Sequence, residues 1–280
     1  MFLRHPTHTP ATRQATPAGY PSFGIGFSNQ PTLGLAMWLE LREAFAQLSS
    51  DPDVRAVVLS GAGDRAFTAG LDVTAAAEGG VLSSEGAADP ARKAAGLRRY
   101  IEVFQGCISG VERCEKPVIC VMHGISYGLA IDISTCADVR ICAKDTRFSV
   151  KEVDIGLAAD IGTLARLPKI VGSLSWVKDV CLTARDFGAA EALAVGFVSQ
   201  VHESKAAALA AGVKMAAFIA TKSPVAVQGT KELLNHSRDH SVDDNLRYTG
   251  VWNAAALQTT DVPAALMSVL QKQKPTFEKL

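Results

Sequence analysis

Three short apolar runs constrain this chain more than any other feature. Residues 54–60 include Val57, Val58 and Leu59, residues 117–122 include Val118, Ile119, Cys120, Val121 and Met122, and residues 139–143 include Val139, Ile141 and Cys142. Each is too short for a globular helix and is dominated by apolar, often β-branched residues. Such runs read as strands buried on both sides. Segments with helical spacing stand around them: Leu35, Trp38, Leu39, Leu41, Phe45 and Leu48 in 34–48, and Leu97, Ile101, Phe104, Ile108 and Val111 in 94–114. Strand alternating with helix predicts an α/β core with a covered parallel sheet.

Residues 147–150 extend the pattern as a fourth strand, and Gly128 opens a helix that ends near Ala137. Beyond Gly156 the spacing is helical, with helices expected at 160–171, 173–183, 188–195, 204–221, 239–257 and 262–272. The expected organisation is a flexible tail at 1–21, an α/β core at 22–210 and a helical module at 211–280 that carries contacts between subunits. Residues 75–89, rich in Ala, Gly and Ser, read as a mobile surface loop.

Charge excludes some partners. Lys plus Arg number 28 and Asp plus Glu number 28, so no global basic field favours nucleic acid. The longest apolar stretch, 117–133, is interrupted by His123 and Asp132 and reads as a strand running into a helix, not a membrane span. The six cysteines form no CxxC pair and most sit among apolar neighbours, as buried thiols of a reducing compartment do. His236 and His240 are four apart but lack a third ligand of suitable spacing, so no metal site is expected. The stretch 222–231 reads as a solvated basic surface.

Three acids occupy apolar settings where charge is costly: Asp132 between Ile131 and Ile133, Glu152 between Val150 and Val153, and Asp160 before Ile161. Burial raises a carboxyl toward the range useful for proton transfer. Each also has a structural reading: Asp160 as a helix cap, Glu152 as a partner of Lys151 or Arg147. Asp138 and Asp154 take the structural reading outright. Two turns of small residues, Ala69-Gly70-Leu71 and Gly128-Leu129-Ala130, are places where backbone N–H groups point outward and can hold a developing oxyanion.

The residues 54–63 with 65–72, and 116–124 with 128–132 and 136–140, resemble the two oxyanion motifs of the enoyl-CoA hydratase/isomerase (crotonase) family. Residues 150–164 resemble the signature of its Δ3,5-Δ2,4-dienoyl-CoA isomerases. Hydratases carry Glu where Asp132 stands and lack the acid at Asp160. The resemblance, covering about residues 22–272, implies a crotonase (ClpP-like) fold of stacked ββα units with a C-terminal helical module. It implies an acyl-CoA thioester whose carbonyl is held by the N–H groups of Leu71 and Leu129, with Ala69, Gly70 and Gly128 lining the substrate. Glu152 would take a proton from C2, Asp160 would deliver one to C6, and Asp132 would assist or orient. Coenzyme A would enter as part of the substrate, with no metal or redox cofactor. A homotrimer or homohexamer follows from the family, with Trp252 and Leu257 in the contact. A peroxisomal or mitochondrial setting follows too, the terminal Glu278-Lys279-Leu280 approximating a peroxisomal signal.

Two departures stand out. Leu129 and Ala130 replace small glycines, and the loop 29–36 lacks the family's basic residues toward coenzyme A. They leave open a specialised crotonase-fold enzyme of a biosynthetic pathway acting on an unusual polyene, or a non-catalytic subunit of that fold.

Overall fold

The computed structural model describes residues 11–15, 21–27, 35–70 and 89–280. Leu71, the expected mobile loop up to residue 88, and most of the departing loop 29–36 lie outside the described residues. In chain order the described strands are β1 (Ala11–Ala15), β2 (Pro21–Phe27), β3 (Val57–Gly61), β4 (Ala66–Thr68), β5 (Val118–Met122), β6 (Ile125–Tyr127), β7 (Val139–Ala143), β8 (Arg147–Ser149), β9 (Phe187–Gly188) and β10 (Gln200–His202).

They form two sheets. The larger runs β1-β2-β3-β5-β7-β10 and is parallel except for the β1–β2 pair. The smaller runs β4-β6-β8-β9 and is parallel except for β8–β9. The order has a simple origin. Each of the pairs β3/β4, β5/β6 and β7/β8 sends its first strand into the large sheet and its second into the small one. Helical segments follow: Pro90–Ile108, Leu129–Cys136 and the 3₁₀ turn Glu152–Ile155. These are the stacked ββα units that the resemblance implied.

The three apolar runs are the buried centre. Val57, Leu59, Val118, Ile119, Val121, Ile141 and Cys142 are fully enclosed. Burying each such side chain is worth about 1.5–3 kcal/mol. One core lies between the sheets and joins Phe45, Phe104, Ile108, Ile131, Phe148 and Phe197. A second joins Val58, Ile119, Val121 and Ile141 to Ala208 and Ala216 of the helix Lys205–Ala220. That helix lies close because Gly212 has no side chain: a Cβ there would come within 2.8 Å of Val121 Cγ2. It therefore belongs to the core, and the expected boundary at 210/211 cuts through it.

Other expectations need correction. Ala11–Ala15, inside the expected tail, pairs with β2 as a strand. The helix expected from residue 160 begins at Thr163 and ends at Ile170. A helix missed from the sequence, Pro224–Ser237, carries most of the basic stretch 222–231, and its Lys231 is buried. The Lys231 ammonium meets Asp138 at 2.8 Å and donates to the Lys116 carbonyl at 3.1 Å. Asp138 also accepts from the Val118 N–H at 2.7 Å, so its structural reading holds. Trp252 turns inward against Gly229 of the same chain, whereas Leu257 is exposed. The six cysteines are free and buried. Among the described residues no group of His, Cys, Asp and Glu could hold a metal, and His236 and His240 stack ring on ring. No single described helix is long and apolar enough to cross a membrane, though one sharply bent pair is by length and composition. Its first member is the sheet-packed helix Lys205–Ala220.

Candidate active site

The site begins where β6 turns into the helix Leu129–Cys136. Gly128 caps that helix at φ 55° and ψ −115°, a conformation that side-chain-bearing residues avoid. Leu129 is the first helical residue, so its N–H has no carbonyl one turn earlier to bond within the helix. The helix dipole adds partial positive charge at the same place. Gly70 lies alongside with φ 104°: a Cβ on it would stand 3.8 Å from the Leu129 nitrogen and 3.4 Å from the Tyr127 carbonyl oxygen. The two small-residue turns, 58 residues apart in sequence, thus meet. They leave room because neither glycine carries a side chain.

Glu152 completes this corner. It starts the 3₁₀ turn that follows β8, and its Oε1 lies 3.5 Å from where a Cβ would sit on Gly128. Its Oε2 is buried with no hydrogen-bond partner among the described residues. Burial, and then the charge of Asp132, push its carboxyl up to about 7. The salt-bridge reading of Glu152 fails for a clear reason: Lys151 turns to Asp154 at 3.3 Å and Asp186 at 3.5 Å, and Arg147 turns to Asp186. Asp154 takes the structural role expected of it.

Asp132 lies in the first turn of a helix whose every residue is buried. Its Oδ1 accepts from the Thr163 N–H at 2.6 Å and from the Thr163 hydroxyl at 2.8 Å. Burial raises its carboxyl to about 6, against the opposing pull of those two donors and of Arg166. Thr163 went unnoticed in the sequence. It is 31 residues from Asp132, and a Thr opening a helix carries no local sign of a distant partner.

Asp160 is not a helix cap; Gly162 occupies that position. It sits in the exposed link before the helix, its backbone carbonyl taking a 2.5 Å hydrogen bond from Gln105 Nε2. Partial burial raises its carboxyl, and its charge in turn contributes to the raised values at Glu152 and Asp132. Asp160 lines a cavity of about 390 Å³ together with Gln105, Ser109, Glu112, Arg166 and Arg238. Glu152 is not on that wall. The structure therefore gathers Gly70, Gly128, Leu129 and Glu152 at one corner and Asp132 and Thr163 in the adjoining interior. Asp160 lies within electrostatic range of both Glu152 and Asp132. Ala69 precedes Gly70 on the same turn, and Leu71 lies outside the described residues.

A weak, partly desolvated base beside a main-chain N–H at a helix start is equipped to take a proton from carbon next to a carbonyl while the oxygen gains charge. Comparison with known proteins agrees with that chemistry. The family model described as enoyl-CoA hydratase/isomerase matches residues 28–279. The mitochondrial Δ(3,5)-Δ(2,4)-dienoyl-CoA isomerase of Mus musculus is 45% identical over 248 residues, which cover 88% of this chain and 75% of the mouse protein. The peroxisomal protein of that name from Arabidopsis thaliana is 40% identical over 253 residues, covering 90% of each chain. Among solved structures, an enoyl-CoA hydratase from Bacillus anthracis superposes with a TM-score of 0.83 at 25% identity, covering 96% of this chain and 98% of that one.

Proposed function

The chain belongs to the enoyl-CoA hydratase/isomerase family, and from that premise we infer that it is a dienoyl-CoA isomerase, converting a 3,5-dienoyl-CoA to the 2,4-dienoyl-CoA. The observation that carries this reading is the Glu152 carboxyl, raised to about 7, without a partner for Oε2 among the described residues, and set beside the start of the Leu129–Cys136 helix.

The proposed reaction shifts three electron pairs within the substrate and makes two proton transfers, one onto Glu152 and one from Asp160, with exchange with water restoring both carboxyls after turnover. The Glu152 carboxylate removes a proton from C2. The electron pair left behind delocalises over C2, C4, C6 and the thioester oxygen. The N–H of Leu129, with that of Leu71, stabilises the charge on that oxygen; losing one such donor typically costs about 2.7–4 kcal/mol of barrier. Protonation at C6 by Asp160 then leaves double bonds at C2–C3 and C4–C5. Asp132 stays in the interior as a fixed charge that keeps Glu152 a weak acid, ready to hold the proton between steps. Every electron stays within the substrate, so the sequence of steps calls for no redox partner and no metal, and coenzyme A serves as the handle of the substrate.

The mouse relative is named as mitochondrial and the Arabidopsis relative as peroxisomal, and one of these compartments is the proposed place of action. A homotrimer or homohexamer is proposed as well. Leu246, Val251, Leu257, Val269 and Leu270, on the helices Val242–Ala256 and Asp261–Leu270 and the turn between them, are exposed apolar residues that a neighbouring subunit would cover.

The decisive experiment is spectroscopic. A 3,5-dienoyl-CoA has its diene isolated from the thioester, whereas the 2,4-dienoyl product is conjugated with it. Purified protein should therefore raise the long-wavelength ultraviolet absorbance of the substrate. An unchanged spectrum across a range of acyl lengths would overturn the reading.

A further inference from the structure

We propose that Thr163 is the positioning residue that fixes the Asp132 carboxylate and, through that fixed charge, sets the protonation of Glu152. The idea rests on the isomerase reading only for its consequence in catalysis; the electrostatic link itself is a property of the folded chain.

Both hydrogen-bond donors of Thr163 converge on one oxygen, Asp132 Oδ1, at 2.6 and 2.8 Å, and both residues are buried. Two donors on one carboxylate oxygen favour the ionised form and hold the group in a single orientation. The residue before Thr163 serves the same arrangement. Gly162 lets the Arg166 guanidinium lie across the backbone, since a Cβ there would collide with its Nη1 and would stand 3.8 Å from Asp132 Oδ1. Arg166 is held in turn by Glu112 at 3.0 Å, and Glu112 also binds Arg238. Asp132 is thus supported on one side by Thr163 and Arg166. Its charge also acts on Glu152, whose Oε2 has no partner among the described residues to offset the repulsion.

The charged and titratable groups around the pair come from every neighbouring element. Arg166 comes from the helix Thr163–Ile170, Asp160 from the link before it, Cys136 from the helix of Asp132 itself, and Cys181 from the helix Leu174–Thr183. Both thiols are pushed up by burial and stay neutral. Arg166 is already committed to Glu112. Asp132 is the larger carboxyl influence on Glu152 and Asp160 the smaller. Thr163 is the neutral group that holds the stronger one in place.

The test uses the full-length protein and two readouts. The first is the difference in Tm between protein with Glu152 and protein carrying Glu152→Gln, followed from about pH 5 to about pH 9; its midpoint reports Glu152 without any turnover. Thr163→Val keeps the backbone N–H and the shape but removes the hydroxyl. Asp132 should then protonate more readily, the repulsion should fall, and the midpoint should move to lower pH by at least about half a unit. Thr163→Ser should leave it in place, and Asp132→Asn should reproduce the downward move, with Thr163→Val adding nothing further. The second readout is the pH dependence of kcat/KM, whose acidic limb should move in the same way. A midpoint that stays put in Thr163→Val, or moves upward, overturns the proposal. If Thr163→Val does not fold, an unmoved midpoint in Asp132→Asn overturns it equally. Should the midpoint move in protein that does not isomerise dienoyl-CoA, the functional reading falls and the Thr163 link stands.

Discussion

Glu152 stands over Gly128: its Oε1 lies 3.5 Å from the point where a Cβ would project from that glycine. Gly128→Ala therefore brings two penalties. The φ of 55° paired with ψ of −115° is a conformation for glycine, and forcing another residue into it costs on the order of 1–3 kcal/mol. The new methyl also crowds the carboxylate and the Leu129 end of the helix. Chemical denaturation should show a loss of that size, and turnover should fall by more than the stability loss explains.

Glu152 and Asp160 are separable by isotope exchange. Glu152→Gln should abolish both isomerisation and exchange of the C2 protons with deuterated water, since general-base groups typically contribute about 10²–10⁴-fold. Asp160→Asn should block isomerisation to a similar extent while C2 exchange continues. Loss of C2 exchange in Asp160→Asn would reverse the assigned roles, and near-normal turnover in either variant would remove that residue from the reaction.

The acidic limb of the rate profile follows from Glu152. Its carboxyl is raised to about 7 by burial and by the Asp132 charge. The base form must be present for the first step, so the acidic limb of kcat/KM should rise with pH through about 7. A limb near the ordinary glutamate range would mean that Glu152 is not the base.

The same raised carboxyl affects stability with a definite sign. The folded protein keeps the Glu152 proton up to about 7, while the unfolded chain gives it up near the ordinary glutamate value of 4.5. Between these values the folded state binds more protons, so stability falls as pH rises. Glu152→Gln removes this burden. Its Tm should exceed that of the wild type above pH 7, by about 2–4 °C for each kcal/mol relieved. The difference should vanish below the unfolded value.

Association should be visible in solution. Sedimentation at micromolar concentration should give a trimer or hexamer, and charged substitutions at Leu257 and Val251, both exposed and apolar, should shift it toward the monomer. A wild-type monomer would contradict the proposed assembly.

Much of this architecture is legible in the amino-acid sequence. The strand at 118–122 announces itself because a strand buried on both faces is apolar throughout, and those at 57–61 and 139–143 do so nearly as well, broken only by Ser60 and Arg140. The outer strands do not: Ala11–Ala15 holds polar residues, and Pro21–Phe27 interleaves glycines with aromatic residues, so neither offers a continuous apolar run. The helix Pro224–Ser237 was hidden by its own packing, because Gly229 weakens the helical signal yet must be small where Trp252 lies against it. Within the site, the three acids stand out because charge in apolar sequence is unusual. Their geometry does not, because Asp132 meets Thr163, and Gly70 meets Leu129, only when distant segments close together. The helix expected to start at Asp160 starts three residues later for the same tertiary reason, as Gly162 and Thr163 turn toward Asp132.

The Leu129 N–H belongs to the peptide chain and not to any side chain. No exchange of one amino acid for another can delete it, proline apart, whereas each carboxyl is one codon away from loss. A lineage built on this frame inherits its grip on the carbonyl oxygen almost indelibly and is free to experiment with the acids around it. New proton-transfer reactions can thus arise by relocating carboxyls alone, without rebuilding the cradle that holds the thioester.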